Sequence, residues 1–298
     1  MVEAEAPPYT IEDFEQLRAL LARVAGEAAA YLRDNFGLDE LLAVVSKHEH
    51  DEDEGLRVDL ESESNILELL RAEGFRGLFL GEEKGLIKLG SEPLIIVADP
   101  LDGSKNYAGL IPWSAVSLAA APVAGREPSL LDVVAGAIAP VFPWPVLSFT
   151  RGRGAFEGGS RVKPHQHPSR ILLTYAEKTT HARIIEAYLR LTGDKRSVRA
   201  LGSASLEIAW AGLGRVEAFI DVRGRLRIVD VAAAVWLAAE AGSIVYVEKP
   251  NASLTRVERV GGVVVTASRD AWERIRKAMA VTSAGDSLKP LAGIKEEA

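Results

Sequence analysis

Asp99 and Asp102 stand three apart in Asp-Pro-Leu-Asp-Gly-Ser, directly after a short apolar run, Leu94 to Ala98. Branched side chains bounded by Pro93 and Pro100 read as a buried strand. Pro100 fixes φ and brings no N–H to a ladder, so the strand is expected to stop at Asp99 and both carboxylates to turn into one space. Crowded carboxylates repel each other, and a hard divalent ion such as Mg²⁺ relieves that repulsion with oxygen ligands. Gly103 lets the backbone approach a ligand closely, and Ser104, Lys105 and Asn106 follow with amides and a hydroxyl. The pattern is an anion cradle set against a cation site.

Other acids can join this corner. Gly77-Leu-Phe-Leu-Gly81 reads as a second apolar strand and ends in Glu82 and Glu83. Neighbouring strands that both end in carboxylates can build one cluster. Val216 to Val222 is a strand that contains Asp221, with Arg223, Arg225 and Arg227 close behind. Asp230 then opens an alanine-rich helix that stops at Gly242. A carboxylate there is favoured by the helix dipole, so a capping role and a ligand role are both open.

The elements that must position these groups alternate along the chain. Thr10 and Asp13 precede Leu17, Leu20, Leu21, Val24, Ala28 and Leu32, the period of a long amphipathic helix ending near Gly37. Lys47 to Glu54 is a charge run that contains His48 and His50 and reads as a flexible flap, since nothing apolar anchors it. An ordered segment begins at Arg57 and continues as a helix through Ile66 and Leu70. Strands are expected at 114–123, 133–141, 146–150, 155–156, 171–174, 216–222, 244–247 and 263–267. Helices are expected at 181–191, at 203–213 with Ser203 as N-cap, and at 270–279. The glycines of Arg151-Gly-Arg-Gly lack the G-x-G-x-x-G spacing of a dinucleotide site and read as hairpin turns. His165 and His167 fall in a Pro-flanked linker.

The 298 residues suffice for one large domain or two smaller ones, and the net charge of −7 argues against a general nucleic-acid surface. Zero cysteines exclude disulfides, thiolate metal sites and thiol nucleophiles. The acidic start lacks the pattern of a secretory signal, and no apolar segment reaches membrane-spanning length, so a cytoplasmic protein is expected.

Taken together, Gly81-Glu82-Glu83, Asp99-Pro-Leu-Asp-Gly-Ser104, and Asp230-Val-Ala-Ala with Glu240-Ala-Gly242 resemble the three signatures of the inositol monophosphatase family. The likeness runs from about residue 11 to 280. It implies an α+β, five-layer αβαβα sandwich with halves at 9–150 and 151–282, and a homodimer; the residues themselves read as disordered tails at 1–8 and 283–298. It further implies that Glu82, Asp99 and the Leu101 carbonyl hold one Mg²⁺, that Asp99, Asp102 and Asp230 hold a second, and that a third, weaker ion lies near Glu82. Asp59 and Ser104 would orient the attacking water, the Gly103 and Ser104 amides would bind phosphate, and Asp221 would meet substrate hydroxyls. Ser104 stands where the family usually has Thr, Val229 where it most often has Trp, and Ala234 where Gly is frequent. The Arg-Gly-Arg-Leu-Arg run resembles archaeal members that act on both inositol phosphates and fructose bisphosphate. The implied reaction is Mg²⁺-dependent hydrolysis of a small sugar or inositol phosphate, with no nucleic-acid or membrane partner. The alternatives are a phosphatase for 3′-phosphoadenosine 5′-phosphate and a non-catalytic regulator of the same fold.

Overall fold

The computed structural model describes residues 14–47, 54–91, 93–282 and 287–291. The expected flap and its two histidines lie mostly outside these residues, as do Thr10 and Asp13. Among the described residues no helix is long and apolar enough to cross a membrane.

The first half contributes helices α1 (Phe14–Asp34), α2 (Arg57–Ala72) and α3 (Ser104–Ala108). Its strands are β1 (Val44–Lys47), β2 (Glu54–Leu56), β3 (Leu78–Gly81), β4 (Gly85–Lys88), β5 (Leu94–Asp102), β6 (Ala115–Pro122), β7 (Ala135–Pro140), β8 (Leu147–Thr150), β9 (Gly154–Glu157) and β10 (Ser160–Val162). β1 and β2 pair as a hairpin, and the other eight form one sheet in the order β10-β9-β8-β7-β6-β5-β3-β4. Only the β3–β5 pair is parallel in that sheet. Parallel pairing brings the ends of β3 and β5 to the same edge, which is why Glu82 and Asp99 become neighbours although 17 residues separate them.

The second half adds β11 (Ser169–Thr174), α4 (Thr179–Leu191), β12 (Ser197–Arg199), α5 (Ala204–Gly212), β13 (Val216–Asp221), α6 (Ile228–Ala241), β14 (Ile244–Val247), β15 (Val263–Thr266), α7 (Arg269–Thr282) and β16 (Lys289–Pro290). Its six strands are ordered β12-β11-β13-β15-β14-β16.

Three apolar cores alternate with the layers. One, with Leu20, Leu21, Ile66 and Phe79, lies between α1–α2 and the first sheet. The second surrounds α5 and α6, which pack against both sheets. The third, with Ile184, Tyr188, Trp272 and Ile275, joins the second sheet to α4 and α7. The result is the expected αβαβα stack. α1 buries Leu17, Leu20, Leu21, Val24, Ala28 and Leu32 on one stripe, as its period predicts. α6 buries nearly every side chain because it is sandwiched between two sheets. Its alanines therefore serve close approach on two faces.

Three expectations change. The first half does not close at residue 150: the strand expected at 155–156 is β9, and with β10 it carries the first sheet to Val162, because the turns around Gly152 and Gly158 return the chain to the sheet edge. The segment after 283 is not wholly without structure, since Lys289 and Pro290 pair with β14 and Leu291 is buried. Nor does β5 stop at Pro100. It continues to Asp102 through a bulge in which Pro100 and Leu101 lie opposite the single residue Val116. A proline that cannot donate to the ladder is tolerated at such a bulge, and the bulge re-aims the side chains on either side of it.

Candidate active site

β3, β5 and α6 bring Glu82, Asp99 and Asp230 together: one oxygen from each lies within 4.8 Å of the others. They line a cleft of about 260 Å³, with Asp102, Gly103 and Ser104 from the β5–α3 corner and arginines from the segment before α6. The two acid-bearing strand ends are parallel neighbours, and Asp230 is delivered by the first turn of the helix packed beneath them. All of the donors are carboxylate oxygens, which suits Mg²⁺ or Mn²⁺ and not a soft metal.

The electrostatics of Asp99 and Glu82 agree with a cation site. Burial raises the Asp99 carboxyl well above the usual carboxylate range, and repulsion from Glu82, Asp102 and Asp230 adds to it. Burial also raises Glu82, against the attraction of Arg227. Charge crowding of this kind is relieved by a bound cation. The protein supplies one itself. Arg227 donates to Glu82 Oε1 at 2.7 Å and to Asp230 Oδ1 at 3.1 Å, while its backbone N–H donates to Asp230 Oδ2 at 2.7 Å. Burial works against its charge, but Asp230, Glu82 and Asp99 hold the guanidinium firmly protonated. The arginine run drew notice in the sequence; this bridge did not. The only local signal is the three-residue offset between Arg227 and Asp230 at a helix start.

Asp102 is placed differently from Asp99. Its Oδ2 accepts from the Ser203 hydroxyl at 2.6 Å, from the Ser205 N–H at 2.7 Å and from the Ser205 hydroxyl, and its Oδ1 accepts from the Ala204 N–H at 3.0 Å. It therefore closes the N-terminus of α5 from another layer of the fold. Ser203 sits at the N-cap position, as expected, but its hydroxyl serves Asp102 instead of its own helix. Burial raises the Asp102 carboxyl to about 6, less than it would without the Ser203 and Ser205 hydrogen bonds.

Gly103 adopts φ of +92° at the start of α3, and a Cβ there would lie 3.0 Å from the Trp113 carbonyl oxygen. This corner turns sharply only with glycine. The adjoining loop at 201–203 is tied down from both sides. Asn106 donates to the carbonyls of Leu201 and Trp113, and the buried Glu207 accepts from the N–H groups of Leu201 and Gly202 and from the Tyr175 hydroxyl. Glu207, pushed up to about 7 by burial, is a carboxylate that sequence reading missed, since an acid in the first turn of a helix is an ordinary feature and gives no sign of a role.

Asp59 lies in the first turn of α2, where Oδ2 accepts from the Leu56 N–H at 3.0 Å. Among the described residues the Ser104 hydroxyl makes no hydrogen bond to it. Burial pushes the Asp59 carboxyl up to about 8, the Leu56 N–H opposes that rise, and Glu82 and Glu83 add to it. An unfolded Asp titrates near ~4, so between about 4 and about 8 the folded chain binds more protons than the unfolded one. Stability of the metal-free protein accordingly falls as pH rises through that window. Asp59→Asn removes the effect: in EDTA its Tm should exceed that of wild type at pH 8 and converge with it near pH 4, as measured by calorimetry.

Asp221 does not reach the cleft. It is fully buried at the end of β13, and both of its oxygens accept from Arg223, Oδ2 at 2.8 Å from the terminal nitrogen. The reason is local: the chain turns immediately after the strand and folds the arginine back over the acid. Arg223, which also pairs with Glu177 and covers the Tyr175 ring at 4.3 Å, lines the cleft in its place.

The model of the inositol monophosphatase family matches residues 13–283. The chain is 37% identical over 262 residues to an inositol-1-monophosphatase of Aeropyrum pernix, covering 85% of this chain and 94% of the relative. It is 30% identical over 234 residues to a fructose-1,6-bisphosphatase/inositol-1-monophosphatase of Methanothermobacter thermautotrophicus, covering 75% and 82%. The fold superposes on the extragenic suppressor protein SuhB of Bartonella henselae with a TM-score of 0.72 at 24% identity, covering 88% and 98%. With most of its length matched, this chain belongs to the inositol monophosphatase family.

Proposed function

We propose that the protein is a Mg²⁺-dependent phosphatase of small polyol or sugar phosphates, taking inositol monophosphate, fructose 1,6-bisphosphate or both. The convergence of Glu82, Asp99 and Asp230 in one cleft carries this reading. These three, with the Leu101 carbonyl and Asp102, are the groups proposed to hold two or three ions. Bound Mg²⁺ supplies charge neutralisation on the phosphoryl oxygens and a lowered pKa for water.

The chain's own residues do the rest. The peptide groups at Gly103 and Ser104 begin α3, where amides have no intrahelical partner and can meet phosphate oxygens. Ser104 lines the same cleft, and its hydroxyl is proposed to orient water. Asp59, whose pKa of about 8 lies in the working range of a general base, can take a proton behind Glu82. Substrate hydroxyls, assigned to Asp221 by resemblance, are instead proposed to meet Glu177 and Arg225 on the rim.

Arg225 and Arg259 line the same cleft, and a second phosphate is the substrate feature that such a rim suits. Recognition of an adenine base, by contrast, would need a free aromatic face. Tyr175 lines the cleft, but its ring is covered by Arg223 and its hydroxyl donates to Glu207 at 2.7 Å. That favours polyol phosphates over 3′-phosphoadenosine 5′-phosphate.

A cytoplasmic homodimer completes the proposal. Exposed Leu110, Ile111 and Trp144 support it, Trp144 packing on Trp210 with ring centroids 5.8 Å apart. Phosphate release should be measured on the three substrates with Mg²⁺ and with EDTA. Turnover of the inositol or fructose ester only with Mg²⁺ is expected; metal-independent release, or turnover confined to the adenosine bisphosphate, would overturn the reading. Sedimentation of the same sample gives the oligomeric state.

A further inference from the structure

We infer that Ser62 and Glu63, adjacent on α2, are positioning residues that clasp the two acid-bearing corners at a fixed separation and so set divalent-ion affinity; this rests on the Mg²⁺-dependent reading of the cleft. Neither side chain lines the cleft, and both are fully buried.

Each holds a different corner. The Ser62 hydroxyl donates to the Pro100 carbonyl at 2.7 Å. That carbonyl sits in the β5 bulge between Asp99 and Leu101, where ladder pairing is interrupted. Glu63 grips the other corner from both sides of Glu82. Its two oxygens accept from the N–H groups of Glu83 at 2.8 Å and Lys84 at 3.0 Å. On the preceding side, a Cβ on Gly81 would lie 2.3 Å from Glu63 Oε2, so only glycine allows the carboxylate so close.

The physical case rests on what this arrangement costs and what it connects. Burial raises the Glu63 carboxyl above its usual range, and a buried carboxylate is an expensive way merely to close a turn. Asp59, Ser62 and Glu63 lie at i, i+3 and i+4 on one helix, so they share a face and move as one body. Ladder pairing already fixes the regular parts of β3 and β5; the bulge within β5 and the turn after β3 are what the helix fixes. Ion ligands must be held within a few tenths of an ångström, and removing groups that orient ligands typically costs about 10–100-fold in metal affinity.

The test is Mg²⁺ and Mn²⁺ binding to metal-free protein by calorimetry, with circular dichroism and thermal unfolding in EDTA on the same samples. Glu63→Gln keeps the volume but leaves one of the two amides facing an NH₂ group. It should stay folded and bind Mg²⁺ about tenfold or more weakly. Ser62→Ala should weaken binding a few-fold, and Ser62→Thr, which keeps the hydroxyl, should restore it; this pair decides the matter should Glu63→Gln fail to fold. Loss of Tm with ion affinity unchanged in Glu63→Gln, or Ser62→Ala and Ser62→Thr alike in affinity, overturns the clasp alone. A wild-type protein that binds neither ion overturns the phosphatase reading, and the clasp with it.

Discussion

Asp99→Asn is expected to abolish Mg²⁺-dependent phosphate release, by roughly 10³-fold or more in kcat/KM, or about 4 kcal/mol of transition-state stabilisation. The same substitution should make the metal-free protein more stable. Asp99 is 2% exposed, and burial together with Glu82, Asp102 and Asp230 opposes its charge. A neutral side chain of the same shape removes that repulsion, and its amide oxygen can still accept the Leu101 N–H that Asp99 Oδ1 now holds at 3.0 Å. Activity and Tm in EDTA therefore move in opposite directions. A variant that retains turnover, or one that is inactive because it is unfolded, would contradict this account.

Asp102→Ala should do the reverse to stability. This carboxylate accepts two backbone N–H groups and two hydroxyls at the start of α5. Its removal leaves buried donors without acceptors, each costing about 1–3 kcal/mol. Rotation of the two serine hydroxyls relieves part of that, so a net loss of roughly 3–5 kcal/mol is expected. Urea unfolding in EDTA should show a lower midpoint with an unchanged slope. α5 lies between the two sheets, so the damage is global and Mg²⁺ cannot restore it. Two aspartates three residues apart thus carry opposite stability signs: one faces other acids, and the other faces the amide end of a helix.

How much of this was legible beforehand depends on the range of the interaction. The apolar runs that became β3, β5, β13 and β15 and the periods that became α1 and α6 were readable, because burial on one face or both imposes a pattern that local residues must obey. Glu82, Asp99 and Asp230 could be named because acids that follow apolar runs, or open an apolar helix, are conspicuous. The strand through Pro100 has no signature in the sequence, since a proline normally ends a central strand and only the pairing with β6 reveals a bulge. Asp221 was assigned to substrate because its position matched a family pattern; the turn that brings Arg223 back onto it has no local signature.

Glu63 and Glu207 mark the limit. Each is a charged residue at an ordinary helical position, where sequence alone predicts a solvated face. Packing of α2 against β3 and β5 buries the first, and packing of α5 between two sheets buries the second; each meets two backbone amides, and Glu207 the Tyr175 hydroxyl as well. The chain order by itself determined most strands and helices, the chemistry of the oxygen donors and which acids could meet, since those follow from hydrophobic period and residue type, while the layers followed from the resemblance to a family. Tertiary structure alone decided which of those acids crowd one another in the cleft and which are also held by an arginine or a helix end. Charges interact through space, and the neighbours that fix their roles lie a hundred residues or more away in the chain, as Ser203 lies from Asp102 and Arg227 from Glu82.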